Sequence, residues 1–308
     1  MKRAIVTGAN GFVGSYLVKE LLQNNYEVLA VIPSQNELGA LSGLKEKELK
    51  IAVCEFPDFE DLYRKAFGIY EAFFHLAWGG VSGKNSRILS VQMDNIQNSI
   101  SAVKAAKELC CKRFIGAGSI QEIECIKEFE TAKRVTNPAN YYKISKLAAH
   151  YYCKLEAEQQ NIDFLWPRLT NTYGVGELSP RLINETIRKL FRGESPQFTS
   201  ATQLYNFIYV TDAAKAYRLI GEKGMSDTHY ILGSKDVRPL REYLLTIQSI
   251  VNPEVPLDFG ECPGVSLKMD DLYDESFFET TGFQACVPFE EGISMTKRFL
   301  QDTIGGGQ

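Results

Sequence analysis

Residues 4–22 read AIVTGANGFVGSYLVKELL. The apolar run from Ala4 to Thr7 leads into Gly8, Gly11 and Gly14, spaced G-x-x-G-x-x-G, and an amphipathic helical pattern follows at once. A short apolar run that stops at glycine suits a buried strand and is too short for a helix. Glycine permits the tight turn and lets backbone approach a diphosphate without a Cβ in the way. The helix start then offers unpaired N–H groups and the positive end of a dipole. Gly14 permits close packing of helix on strand. In this order, strand, loop and helix point to a dinucleotide site, with a structural tight turn as the plainer alternative. The expected contacts are Gly8, Asn10, Gly11, Phe12, Val13 and Gly14.

Working outward, strand-like runs recur at 27–32, 50–54, 72–77 and 113–117. Helical patterns lie between them at 13–24, 59–67 and 87–109, the last with Ile88, Val91, Ile96, Ile100 and Val103 near helical spacing. Strand–helix repetition with right-handed crossovers predicts an α/β, Rossmann-type, doubly wound parallel sheet covered on both faces. A helix over 139–160 follows, then a strand over 162–169 that ends near Pro167. Then prolines and glycines cluster, and short helices are expected at 182–192, 212–221, 240–251 and 289–300. The reading is a dinucleotide-binding domain over 1–173, with a return segment near 204–233. A smaller mixed α/β substrate-binding cap takes 174–203 and 234–304, and 305–308 form a disordered tail.

The 308 residues can bury a sizeable core. The net charge is −4 with both signs interspersed, and no basic–aromatic array argues for nucleic acid as a partner. No apolar run approaches the roughly 18–20 residues that span a bilayer, so a membrane is not expected. MKR before a strand offers no signal-peptide core, and the expected location is cytoplasmic. The seven cysteines are scattered, with no C-x-x-C pair, so neither a disulfide framework nor a zinc site is expected. There is no H-E-x-x-H and no G-x-S-x-G, so no metal is assigned.

The second strand should end in an acid for NAD or near an arginine for NADP. Here Val31-Ile32-Pro33-Ser34-Gln35 offers neither; Ser34 could bond a hydroxyl or a phosphate. The cofactor is NADP or NAD, and the missing acid tilts the reading to NADP.

Tyr142 and Lys146 form Y-x-x-x-K on one face of a helix, and Ser119 follows the strand at 113–117, at the edge where ligands of such sheets bind. A free tyrosine titrates near ~10. A neighbouring ammonium lowers that by about 1–3 units, which would let the phenol act as general acid or base. Lys146 could also bond the nicotinamide ribose, and Ser119 would hold the substrate oxygen.

Beyond these residues the chain resembles the extended short-chain dehydrogenase/reductases, in particular the nucleotide-sugar epimerase, dehydratase and reductase group. TGANGFVG resembles the family's glycine loop, and FFHLAW its H-L-A strand. Asn95 matches a helix asparagine near the active site, RFIGAGS the strand ending in the catalytic serine, and PANYYKISK the tyrosine–lysine segment. WPRLTNTYGVGE, FIYVTDAAKA and GFQACVPFEEGI match later segments in the family's order. Four places depart from it. Cys54-Glu55-Phe56 replaces Gly-Asp-hydrophobic, Trp78-Gly79-Gly80 replaces small residues after H-L-A, Leu204-Tyr205-Asn206 stands where arginine grips the diphosphate, and Ser119-Ile120-Gln121-Glu122-Ile123 resembles G-S-Q-x-E-Y.

The resemblance implies Ser119, Tyr142 and Lys146 as the catalytic set. It adds Ser34, Glu55, Phe56, His75, Leu76, Ala77, Trp78, Asn95, Ala117, Pro167 and Leu169, with Tyr142 and Lys146, around the cofactor. Asn171, Gly79, Glu122 and Arg181 would face the substrate, although Asn171 could equally cap a loop and Arg181 and Arg188 could be solvated. Arg168 reads equally as a structural ion pair, and His150 as structural. The implied activity is NAD(P)-dependent reduction of the 4-keto group of a nucleotide-linked sugar. The alternatives are a 4-epimerase with retained NAD and a non-catalytic NAD(P)-sensing protein. A dehydratase would need an acid pair beside the serine, and Ile120-Gln121 offers none. A homodimer through helices 87–109 and 139–160 is also implied.

Overall fold

The computed structural model describes residues 1–44, 47–55, 60–66, 68–131, 140–261 and 266–305. The first half runs β1 (Lys2–Thr7), α1 (Phe12–Gln23), β2 (Tyr26–Ile32), β3 (Leu49–Val53), α2 (Glu60–Lys65), β4 (Tyr70–His75), α3 (Leu89–Glu108) and β5 (Cys111–Gly116). It continues with β6 (Gly118–Ser119), α4 (Gln121–Thr131), α5 (Asn140–Gln160) and β7 (Asp163–Leu165). Six strands pair in parallel in the order β3-β2-β1-β4-β5-β7. This is the doubly wound sheet the alternation predicted.

Side chains alternate across a strand, so β1 feeds two cores. Ala4 and Val6 join Leu17, Val18 and Leu21 of α1 on one face. Ile5 joins Leu29, Phe73 and Phe114 on the other, against Ala102, Val103 and Ala106 of α3 and Ala149, Cys153 and Ala157 of α5. The alanines let α3 and α5 lie close to the sheet and to each other.

The second half runs β8 (Arg168–Leu169), β9 (Asn171–Tyr173), α6 (Leu182–Phe191), β10 (Gln197–Phe198), β11 (Leu204–Tyr209), α7 (Val210–Lys223), β12 (Ile231–Leu232) and β13 (Val237–Pro239). It closes with α8 (Leu240–Val251), β14 (Asp258–Phe259), α9 (Met269–Leu272), α10 (Glu275–Thr281) and α11 (Phe289–Gly305). Three small sheets result, β12-β8-β6, β13-β11-β9 and β10-β14. A core of Tyr173, Phe207, Tyr209, Tyr243 and Phe289 sits among α6, α8 and α11. Helix α7 returns to the large sheet, where Ala213, Tyr217 and Ile220 pack on the α1 face. The Asp212 carboxylate, in its first turn, accepts the N–H groups of Cys286 (2.9 Å) and Val287 (3.0 Å) and so ties down the segment before α11.

Four elements differ from the sequence expectation. The strand expected over 162–169 is broken at Trp166-Pro167, and β8 leaves the large sheet to pair with β6 and β12. Proline has no N–H for a ladder. The Trp166 ring takes the space left by Gly116, where a Cβ would stand 2.0 Å from it. Helix α4 was not expected, although Ile123, Ile126 and Phe129 recur at helical spacing in QEIECIKEFET. The helix expected over 87–109 starts at Leu89, after a short turn at Lys84–Arg87. Helix α11 extends to Gly305, and residues 306–308 of the expected tail lie outside the described residues. Among the described residues no helix is long and apolar enough to cross a membrane.

Candidate active site

β1 ends at Thr7, and the chain turns at Gly8 with φ of 65°. A Cβ on Gly8 would lie 2.6 Å from the Ala77 nitrogen, and one on Gly14 would lie 2.1 Å from the Gly8 oxygen. Both glycines are therefore required by backbone contact. Gly11 is the N-cap of α1 and makes no side-chain capping bond, so no capping side chain shields the first amides of the helix. The next strand is locked alongside by His75, whose ring lies 2.9 Å from Thr7 Oγ1 and 3.1 Å from Ser99 Oγ. Burial, and then the Lys146 charge, hold the His75 pKa down to about 3, so the imidazole is neutral. The side chain expected on the cofactor is thus a brace behind the loop.

The turn after β4 is held by α3. Asn95 Oδ1 accepts the Gly79 N–H (2.8 Å) and its Nδ2 donates to the Gly79 oxygen (2.7 Å). Gln92 donates to the Gly80 oxygen (3.0 Å) and accepts from Trp78 Nε1 (3.0 Å). These bonds lay the Trp78 ring 3.6 Å from Lys146 Nζ and edge-on to Tyr142, with centroids 6.1 Å apart. Such a desolvated cation–π pair contributes about 2 kcal/mol.

Ser119, Tyr142 and Lys146 come together at the carboxyl edge of the sheet. Lys146 Nζ donates to the Ala117 oxygen (2.8 Å), and Ser119 stands close enough to the Tyr142 phenol to favour its anion. Burial brings the Lys146 pKa down to about 7, against a smaller upward pull from Glu122. Burial also raises Tyr142 above its ordinary value, although the Arg181 charge and Ser119 pull the other way. The expected acidification of Tyr142 by Lys146 is therefore not the outcome here. The phenol is buried, and desolvation of its anion wins.

A cleft of about 1010 Å³ joins this centre to the glycine loop. Gly8, Asn10, Gly11, Phe12, Val13, Gly14, Leu76, Ala77, Trp78, Gly79, Asn95, Ala117, Leu169, Asn171 and Arg181 all line it, with Ser119, Tyr142 and Lys146. Asn171 also donates to the Asn206 oxygen (3.2 Å), so it braces β11 as well. Arg188 bonds the Leu178 oxygen (2.8 Å) and stays outside.

Several expected contacts do not reach the cleft. Ser34 Oγ is taken by the Asn36 N–H (3.3 Å). Glu55 is exposed and Cys54 lines the wall in its place, while Phe56 lies outside the described residues. Pro167 is buried and offers its oxygen to the Gly118 N–H (3.0 Å). Glu122 does not face a substrate. It is fully buried behind Ser119, where four donors surround it. Arg168 and His150 are two of these, which makes both structural in this chain. Glu37, Gln121, Lys143, Thr172, Asn184 and Tyr205 line the cleft without having been expected. Separate elements bring them in: Glu37 from the turn after β2, Gln121 from α4, Lys143 from α5, Thr172 from β9, Asn184 from α6 and Tyr205 from β11.

A profile of the NAD dependent epimerase/dehydratase family matches residues 4–233. The chain belongs to this family. Among its relatives, CDP-abequose synthase of Salmonella muenchen is 23% identical, covering 95% of this chain and 96% of that one. The dTDP-4-dehydro-6-deoxy-D-allose reductase of Streptomyces bikiniensis is 26% identical, covering 97% and 96%. In fold, the UDP-glucose 4-epimerase of Thermotoga maritima superposes with a TM-score of 0.76 at 21% identity, covering 98% and 99%. For a member of an NAD-dependent family, the cradle of Gly8, Gly11 and Gly14 fits a dinucleotide, since any side chain at Gly8 or Gly14 would collide with backbone. Gly14→Ala is expected to weaken NADH binding at least tenfold, or about 1.4 kcal/mol. Quenching of NADH fluorescence measures this, with a thermal melt to confirm folding.

Proposed function

We propose that this enzyme reduces the 4-keto group of a nucleotide-linked sugar. The observation that carries the reading is the meeting of Ser119, Tyr142 and Lys146 on one cleft that continues to the glycine loop. The nicotinamide, when bound, supplies or takes up the hydride. Burial keeps Tyr142 as a neutral phenol, the form that donates a proton to a carbonyl oxygen as it gains charge. Ser119, beside Tyr142 on the cleft, would bond the same oxygen. Lys146 holds its ammonium toward the ribose hydroxyls from the Ala117 oxygen. Among the described lining residues the acids are Glu37 and Glu177, and neither adjoins Ser119. Elimination of water, which needs an acid pair beside the serine, is thereby disfavoured. The relatives from Salmonella and Streptomyces, a synthase and a reductase of sugar nucleotides by name, support this substrate class. A 4-epimerase that retains NAD is the second reading, favoured by the fold shared with the Thermotoga epimerase.

The cofactor in this reading is NAD(H). Ser34 and Gln35 open a short turn that brings Glu37 to the cleft, and Asn10 Nδ2 donates to the Glu37 oxygen (2.7 Å). The acid missing after Ile32 is thus supplied three residues beyond Ser34. The lining cations, Lys143, Lys146 and Arg181, belong to the other half of the cleft. Strand β2 lies three steps from β5, about 14 Å at ordinary strand spacing. A 2′-phosphate beside Glu37 would meet a carboxylate and none of these cations, whereas a ribose hydroxyl can donate to it.

The partner is a second copy of the chain. Helices α3 and α5 pack together and still expose Leu89, Met93, Tyr141, Ile144, Tyr151, Tyr152 and Leu155. On α5 these recur at helical spacing as one apolar stripe, which a matching stripe would cover.

With dTDP-4-keto-6-deoxyglucose, wild type should oxidise one NADH per product, and Tyr142→Phe should lower kcat roughly 10²–10⁴-fold. Activity on sugar nucleotides with no NADH consumed would establish the epimerase instead. NADH should bind more tightly than NADPH, and Glu37→Arg should reverse that order in a fluorescence titration. Sedimentation should give a dimer mass for wild type and a monomer mass for Leu155→Asp.

A further inference from the structure

Glu122 stands in the first turn of α4, with no exposed surface. Its Oε1 accepts the Ser119 N–H (2.8 Å) and the Trp166 Nε1–H (3.1 Å). Its Oε2 faces Arg168 Nε (3.2 Å) and His150 Nδ1 (3.3 Å). One carboxylate thus joins the serine turn, the strand break at Trp166-Pro167, β8 and α5. A buried ion pair is costly, and similar volumes of apolar side chain are often as stable. Stability alone therefore gives little reason for a charge here.

Position gives a better one. Ser119 has its backbone on Glu122, its Oγ accepts the Gln121 N–H (3.2 Å), and it stands beside Tyr142 on the cleft. Any shift of Glu122 moves the serine that meets the substrate. Lys146 sits one turn before His150 on the same helix, fully buried between Trp78 and Trp166. The charged or titratable groups acting on Lys146 are Glu122 from α4, His75 from β4 and Cys153 on α5. Those paired with Glu122 are Arg168 and His150, with Cys125, Tyr142, Tyr217 and His229 feeling its charge. Burial works against the Glu122 anion, but the His150 bond, the Arg168 charge and the Ser119 N–H outweigh it and keep it ionised. Glu122 is the carboxylate among the groups named as acting on Lys146.

We propose that Glu122 is a positioning residue of the reaction centre, whose buried charge fixes the Ser119 backbone and balances the Lys146 ammonium. The proposal rests on the roles given above to Ser119 and Lys146. Glu122→Gln keeps the volume and one acceptor but removes the charge. An ammonium without its anion loses its proton at lower pH, so the alkaline fall in activity should begin earlier.

The test uses the full chain with NADH and dTDP-4-keto-6-deoxyglucose, from pH 6 to 9. Glu122→Gln should lower kcat roughly 10–100-fold with the KM for the sugar nucleotide unchanged. The alkaline limbs of kcat and of NADH binding should both move to lower pH. Glu122→Asp keeps the charge one methylene shorter, and should lose part of kcat while its limbs stay with wild type. A Glu122→Gln protein that melts like wild type, with wild-type kcat and unmoved limbs, overturns the proposal. Should it not fold, Glu122→Asp decides, and full kcat in that variant overturns it. If wild type reduces no 4-keto sugar nucleotide, the proposed function fails by itself. The NADH-binding limb then still tests Glu122, and an unmoved limb in Glu122→Gln rejects its role.

Discussion

The start of α1 lies so close to β1 that the space for a Cβ at Gly14 is already filled by the Gly8 oxygen. This contact sets the rest of the molecule. It aims the first turn of α1 at the carboxyl edge of the sheet, because helix and strand share only a few residues of loop. The neighbouring strand must then end level with the loop, and Thr7, His75 and Ser99 enforce that with a buried, uncharged chain of bonds. Everything that follows β4 and β5 arrives at the same edge. The cleft is a consequence of where the strands stop.

The far half of the cleft is organised by different physics. There the chain buries charge and then surrounds it. Lys146 has aromatic faces and a backbone oxygen, and Glu122 has a backbone N–H, an indole N–H, a guanidinium and an imidazole. Low dielectric strengthens each of these bonds and makes each costly to leave unpaired. The glycine loop is thus specified by shape and the Ser119–Lys146 end by satisfied polar groups.

That contrast explains what could be read from the residues. Periodicity revealed the parallel sheet, since 4–7, 27–32, 72–77 and 113–117 bury both faces and carry unmistakable apolar runs. Spacing revealed Gly8, Gly11, Gly14, Tyr142 and Lys146, because turn and helix geometry turn sequence separation directly into position. Neither signal could report Glu37, which reaches the cleft only through a turn capped by Ser34 and pinned by Asn10. Glu122 resembled a cleft residue because it is three positions from Ser119. Its direction depends on α4, a helix that was not expected there. The break at Trp166-Pro167 was partly legible in the proline. That the ring would fill the gap left by Gly116 depends on packing between separate strands. Tyr142 shows the same limit: spacing puts it near an ammonium, and only the surrounding walls decide which way its proton equilibrium moves.

The chain has two tryptophans, and their rings lie 3.6 Å and 5.9 Å from the same ammonium nitrogen. One forms a wall of the cleft, and the other is bonded to the carboxylate behind the serine. The indole emission of the whole protein therefore originates within one small volume, beside a charge whose loss alters both fluorophores at once. The reaction centre carries its own optical probe.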